Sequence, residues 1–267
     1  MNILDKIIAH KRKEVDERKS LYPTKLLEKS VHFNSPCVSL KKYLLREDKV
    51  GIIAEFKRKS PSKGVINQYA PVERTSIGYM QAGASALSVL TDTEFFGGKS
   101  DDLKTARKFN YCPILRKDFT IDEYQIIEAK SIGADAVLLL ANVLSAKQVK
   151  QFAKFARSLG LEVLLEVREK EELKSVCEYV DAVGVNNRNL KDFKVSIKQS
   201  FDLARLIPKD FVKVSESGID SAKAIQELKK EGFSGFLIGE TFMKHSRPEI
   251  ACANFIREVK EYNVKKK

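Results

Sequence analysis

Residues 136–166 read AVLLLANVLSAKQVKQFAKFARSLGLEVLLE, and this stretch holds the repeating unit of the whole chain. An aliphatic run, Ala136–Leu140, precedes the segment Ser145–Leu159, in which Val149, Phe152, Ala153 and Ala156 recur at helical spacing. A second aliphatic run, Glu162–Glu166, follows. Short apolar runs joined by an amphipathic helix are the pattern of parallel strands, whose two faces are both covered. The same alternation extends in both directions. The other runs are Gly51–Phe56, Ala86–Leu90, Pro113–Arg116, Ala182–Val185, Val212–Val214 and Gly235–Ile238.

Eight such strands separated by helices are the number that closes a barrel. An open doubly wound sheet shares the alternation, but no G-x-G-x-x-G follows the first run, which weakens that alternative. The expected fold is therefore α/β, a (β/α)₈ TIM barrel forming a single domain over residues 1–267. Residues 1–49 are expected to be a helical N-terminal extension. Leu4, Ile7, Ile8, Lys11 and Val15 follow helical spacing there, and Pro23 and Pro36 punctuate what comes after. Whether this extension caps the barrel floor or covers its mouth is open at this level.

With 43% hydrophobic and 31% charged residues, the 267-residue chain has the composition of a globular protein able to bury a core. The net charge of +12 raises the possibility of a nucleic-acid partner. The basic residues are instead mixed with acids, as in Lys11, Arg12, Lys13, Glu14, Asp16, Glu17 and Arg18, and Lys265–Lys267 is only a short run. These read as solvated helix faces, with a positive field that attracts a small anionic substrate. Cys37, Cys112, Cys177 and Cys252 form no CxxC pair, and His10, His32 and His245 are scattered. Buried thiols in a reducing compartment are expected, with no metal. Neither a signal peptide nor a bilayer-spanning run is evident, so a cytoplasmic protein without membrane contact is expected.

In a barrel, chemistry gathers at the carboxyl ends of the strands. The runs end in Glu55-Phe56-Lys57, Arg116-Lys117-Asp118, Leu165-Glu166, Asn186-Asn187-Arg188, Glu216-Ser217-Gly218 and Gly239-Glu240. Because strand residues alternate faces, Glu55 and Lys57 share one face and Ala54 and Phe56 the other. A single charge at a strand end is usually a solvated rim group. Carboxylates and two lysines converging on one mouth instead suit acid–base chemistry on an anion. Ser217-Gly218 and Gly239-Glu240, at the seventh and eighth strands, stand where such barrels bind phosphate through backbone N–H groups.

The stretch from Ile53 to Gly64, IAEFKRKSPSKG, resembles the first-strand signature of the indole-3-glycerol phosphate synthase family. The resemblance continues, in order, through Ser88–Asp92, Phe96-Gly97-Gly98, Leu115–Phe119, Leu165-Glu166-Val167, Gly184–Leu190, Val214–Ile219 and Leu237–Glu240. It implies a carboxy-lyase of tryptophan biosynthesis that closes 1-(2-carboxyphenylamino)-1-deoxyribulose 5-phosphate to indole-3-glycerol phosphate, releasing carbon dioxide and water. By the same resemblance Lys117 is the general acid and Glu166 the base, with Glu55 and Lys57 assisting dehydration and charge balance. Asn186 and Arg188 orient the substrate, Ser60 and Glu216 are further contacts, and Phe96 and Phe119 wall the anthranilate ring. Phosphate is expected on Lys57, Ser217, Gly218 and the backbone of Gly239 and Glu240. A carboxylate beside phosphate repels it, so the Glu240 side chain is expected to turn away.

No cofactor is expected, since lysines and carboxylates suffice for the ring closure. The expected partner is a phosphorylated small molecule, not nucleic acid, and the expected state a monomer or weak homo-oligomer. Phosphoribosylanthranilate isomerase, another phosphate-binding barrel, is the nearest alternative, but it has no reason for both lysines with Glu55 and Glu166. A non-catalytic nucleic-acid-binding protein and a barrel kept as a regulatory module are further alternatives. The first lacks any helix-turn-helix, zinc-finger or RNA-binding signature.

Overall fold

The computed structural model describes residues 2–189 and 192–264. Leu190 and the run Lys265–Lys267 lie outside the described residues. Eight parallel strands close into a barrel: β1 Ile52–Phe56, β2 Ala86–Leu90, β3 Ile114–Lys117, β4 Ala136–Leu140, β5 Glu162–Val167, β6 Ala182–Asn186, β7 Val212–Glu216 and β8 Phe233–Ile238. Each pairs with its neighbours in chain order, and β1 pairs with β8 to complete the circle. The strand ends move slightly from the expected runs. β3 reaches Lys117 and β7 reaches Glu216, so both charges are anchored by ladder hydrogen bonds rather than carried on loops. A two-stranded hairpin, Lys59–Ser60 against Gly64–Val65, follows β1 and was not anticipated.

Alternation sorts the strand residues into two cores. Ile52, Ala54, Phe56, Leu87, Val89, Val137 and Leu139 face the helices, whereas Ile53, Ala86, Leu115, Leu138, Leu164, Val214 and Leu237 fill the barrel. The helix Ala146–Ser158 shows why the outer layer forms. Ser145 and Gln148 make a reciprocal capping box, and Val149, Phe152, Ala153 and Ala156 are buried as one apolar stripe.

The N-terminal extension does both jobs left open by the sequence. Helix Ile3–Leu21 lies over the carboxyl ends of the strands, where Ile3 and Ile7 join the interior core. Helix Leu40–Leu44 plugs the opposite end, its Leu40 and Leu44 packing with the strand-start residues Ala86, Ala136 and Val212. Ser39 and the Lys41 N–H both donate to Glu162, at the start of β5, and fix this plug. The solvated-face reading holds for Arg12 and Lys13 but not for Lys11, which is buried. All four thiols are free; Cys112 and Cys252 are buried as expected, while Cys37 and Cys177 are half-buried.

Candidate active site

At the centre of the mouth stands Lys117, the last residue of β3. Its Nζ lies 2.8 Å from Glu166 Oε2 on β5 and 2.7 Å from Glu216 Oε2 on β7. Three inward positions on alternate strands meet because the register and the strand tilt bring them to one level. Asn186, ending β6 between them, donates to the other oxygen of Glu166 at 2.9 Å. Across the mouth, Lys57 Nζ sits 2.6 Å from Glu55 Oε1, and Ser88 donates to Glu55 Oε2 at 3.4 Å.

One ammonium therefore faces two buried carboxylates, and their protonation follows from that imbalance. Burial alone pulls the Lys117 ammonium down, but Glu166, Glu216 and Glu55 outweigh it and hold Lys117 charged. The Lys57 ammonium is tied to Glu55. Burial would raise Glu166, yet Lys117 and the hydrogen bonds from Lys117 and Asn186 keep it below the usual carboxylate range. Glu216 is pushed up to about 8, by burial first, with Lys117 opposing and the Glu166 and Glu55 charges adding to the rise. A proton is thus retained on the carboxylate pair near neutral pH, and it belongs to the pair more than to either residue.

Two glycines make room for these carboxylates. A Cβ on Gly184 in β6 would collide with Glu216 Oε1, and one on Gly239 would stand 2.6 Å from Glu55 Oε1. Gly239 was expected from its place beside a phosphate; Gly184 carries no chemistry of its own, and no motif marks its steric role.

Two cavities meet over this cluster. The first is lined by Glu55, Lys57, Ser60, Lys117, Glu166, Asn186, Arg188 and Glu216, with Phe96 and Phe119 as a wall. The two rings lie 5.7 Å apart and tilted by 41°, packed on each other as one apolar wall. Ile3, Ile7, Leu138 and Leu140 complete that end. The second cavity is lined by Lys57, Ser217, Gly218, Gly239 and Glu240, and also by Lys63, which the sequence reading passed over. Ser217 and Gly218 both have left-handed backbone, φ 69° and 73°, a turn that can aim successive N–H groups at an anion. Asn187 braces it, donating to Ser217 O and Ser215 Oγ at 3.0 Å. Every residue given a catalytic, substrate or phosphate role from the sequence lines one cavity or both, whereas the strand-end residues Arg116 and Asn187 line neither.

Glu240 requires a correction. Its side chain does not turn away: Oε2 takes Arg188 Nη2 at 3.0 Å and Oε1 takes Lys63 Nζ at 3.2 Å, across the rim of the second cavity. Two cations within reach overcome the solvation that would draw it outward. Arg188 is held to it and, through its N–H, to Asn186 Oδ1 at 2.9 Å.

The profile of the family described as Indole-3-glycerol phosphate synthase matches residues 4–257. The chain is 48% identical over 258 residues to the indole-3-glycerol phosphate synthase of Bacteroides thetaiotaomicron, covering 97% of this chain and 99% of that one. It is 40% identical over 259 residues to that of Thermoanaerobacter pseudethanolicus, with 97% and 98% covered. Among solved structures, a tryptophan synthase A-subunit from Pyrococcus furiosus superposes with a TM-score of 0.57 at 15% identity, over 80% of this chain and 99% of that one. Thiamine phosphate pyrophosphorylase from the same organism gives 0.59 at 16% identity, over 80% and 97%. At such identities these two speak for the barrel alone.

Proposed function

The chain belongs to the indole-3-glycerol phosphate synthase family, and on that premise we propose how its residues divide the reaction. The enzyme closes 1-(2-carboxyphenylamino)-1-deoxyribulose 5-phosphate to indole-3-glycerol phosphate, with loss of carbon dioxide and water. A ring carbon attacks the ketone, and Lys117 protonates the carbonyl oxygen as the new carbon–carbon bond forms. The ring carboxylate leaves as carbon dioxide, and the resulting hydroxyl leaves as water while Glu166 accepts a proton. Glu55 and Lys57 assist the dehydration. The observation that carries this reading is the placement of Lys117 between Glu166 and Glu216, in the cavity that Phe96 and Phe119 wall. A protonated acid beside a carboxylate acceptor is what a two-step proton traffic needs. Incubating the purified protein with the substrate should produce indole fluorescence. A folded protein that yields none would overturn the reading.

Substrate phosphate occupies the second cavity, on the backbone around Ser217, Gly218, Gly239 and Glu240 with Lys57 alongside. The left-handed Ser217-Gly218 turn supports this, as does the rule that such barrels bind phosphate after strands seven and eight. Arg188, with Asn186, takes the carboxylate and hydroxyls; the planar guanidinium suits a two-point grip. The enzyme works without a cofactor, in the cytoplasm, as a monomer or weak homo-oligomer. No described helix is long and apolar enough to cross a membrane.

Two results are expected at this rim. Arg188→Ala should raise KM by about 10- to 100-fold, the worth of one charged hydrogen-bonded contact, with kcat little changed. An unchanged KM with a collapsed kcat would move Arg188 into the chemical step. Glu240→Gln should tighten inorganic phosphate by about two- to fivefold at low salt, because a half-exposed carboxylate competing for Arg188 and Lys63 is removed. The gain should shrink as salt is added. An unchanged inhibition constant for phosphate would show that Glu240 does not compete.

A further inference from the structure

One lysine of the N-terminal helix is buried as completely as the core beneath it. Lys11, four residues after Ile7 and four before Val15, is 1% exposed. Its Nζ lies 2.9 Å from Asp92 Oδ2, 2.9 Å from Asp118 Oδ1 and 2.8 Å from Glu14 Oε2. Withdrawing an ammonium from water is costly, and only good pairing offsets it. Burial pulls Lys11 down, but Asp118, Asp92 and Glu14 outweigh burial and keep it charged. Burial would likewise raise Asp118, and Lys11 and Arg116 hold it low instead. The compact, three-donor ammonium fits among three carboxylates where a planar guanidinium would not.

Both aspartates also fix an aromatic wall. Asp92 Oδ1 accepts the N–H groups of Phe95 at 2.8 Å and Phe96 at 3.2 Å, which pins the loop after β2. Its second oxygen accepts no aligned hydrogen bond and faces Lys11. Asp118 directly follows Lys117, and its Oδ1 accepts the Phe119 N–H at 2.8 Å. Thr91 and Arg116 hold its other oxygen. The helix bearing Lys11 also supplies Ile3 and Ile7 to the cavity lining. Ile7 lies one turn, about 6 Å along the axis, from Lys11. A single buried charge therefore joins the cover to the supports of both ring walls.

We propose that Lys11 is a positioning residue for the aromatic end of the site: it holds Phe96, Phe119 and Ile7 in mutual register and so sets affinity for the aromatic part of substrate and product. This rests on the assignment of Phe96 and Phe119 as ring walls. The site's phosphate end, built on β7 and β8, does not touch the Lys11 network and is unaffected by it.

The test is Lys11→Met, which keeps the length and removes the charge, with dissociation constants measured for indole-3-glycerol phosphate and for inorganic phosphate beside KM and kcat. Product affinity should fall about tenfold or more, which is about 1.4 kcal/mol, and KM should rise with it. Inorganic phosphate should stay within twofold. A lysine that only stabilises the fold would lower Tm and leave both constants of the folded protein unchanged, and that outcome overturns the proposal. So does an equal loss of both ligands. Should Lys11→Met not fold, Asp92→Asn breaks the same contact from the barrel side and should show the same selective loss; retention of product affinity there also overturns it. Phe96→Ala tests the underlying assignment separately. If it leaves product affinity intact, the ring-wall reading itself fails; if it weakens the product while Lys11→Met does not, only this inference falls.

Discussion

Lys117→Met is expected to lose about 10²- to 10⁴-fold in kcat, the usual contribution of a positioned general acid, while inorganic phosphate binds as in the unaltered enzyme. Methionine preserves the length and apolar stem of a side chain that is already 13% exposed. The fold pays in one specific way. Glu166 and Glu216 would face each other without the cation now between them, and one of them must then take up a proton. A carboxyl whose folded pKa is raised stabilises the fold at low pH, and that stability is lost as pH climbs through the raised value. The variant should therefore be well folded in mild acid and lose Tm progressively above it, more steeply than the parent. If kcat stays within tenfold of the parent, Lys117 is a rim charge and the acid must be sought at Lys57.

Glu166→Gln is expected to cost about 10²-fold or more in kcat and to shift the titration of its neighbour. Glu166 accepts two hydrogen bonds, from Lys117 on one oxygen and Asn186 on the other. An amide has one acceptor end, so either Asn186 or Lys117 must face an N–H₂ group. The charge of Glu166 is also one of the causes that hold Glu216 up at about 8. With that like charge gone, burial still raises Glu216, but Lys117 opposes it with less competition, and the pKa falls. Following the Glu216 carboxyl by infrared difference spectroscopy across pH 5–9 checks the sign. A Glu216 titration that stays put or moves upward would mean that the two carboxylates are not coupled.

The barrel was legible because burial on both faces leaves a plain mark, continuous aliphatic runs such as Ala136–Leu140. That Glu55 and Lys57 share a face followed from strand alternation. Contacts that depend on which strands stand side by side were not available to that reasoning. Glu216 was assigned to the substrate by resemblance, and its ion pair with Lys117 depends on residues 99 positions apart. Lys11 stood in the helical pattern with Ile7 and Val15, but its mixed-charge neighbourhood made it look solvated. Its place on the apolar stripe is the one local feature that separates it from Arg12 and Lys13; the two aspartates that bury it follow β2 and β3, far along the chain. Glu240 failed for a related reason, since its expected orientation considered the phosphate and left out Arg188 and Lys63.

The segment that both roofs and floors the barrel is made before any strand it touches. Ile3–Leu21 depends on Asp92, Asp118, Asp122 and Glu128, and Leu40–Leu44 depends on strand starts as late as Val212. On a ribosome these helices emerge with their partners still unsynthesised, carrying Ile3, Ile7, Leu40 and Leu44 exposed. Contacts this distant in sequence form late, after the loops between them have closed. Lys11 must stay hydrated until the aspartates are in place, since entering an apolar interior alone is prohibitive. Docking of the first helix is therefore coupled to completion of β2 and β3, and the mouth is roofed only once both are in place.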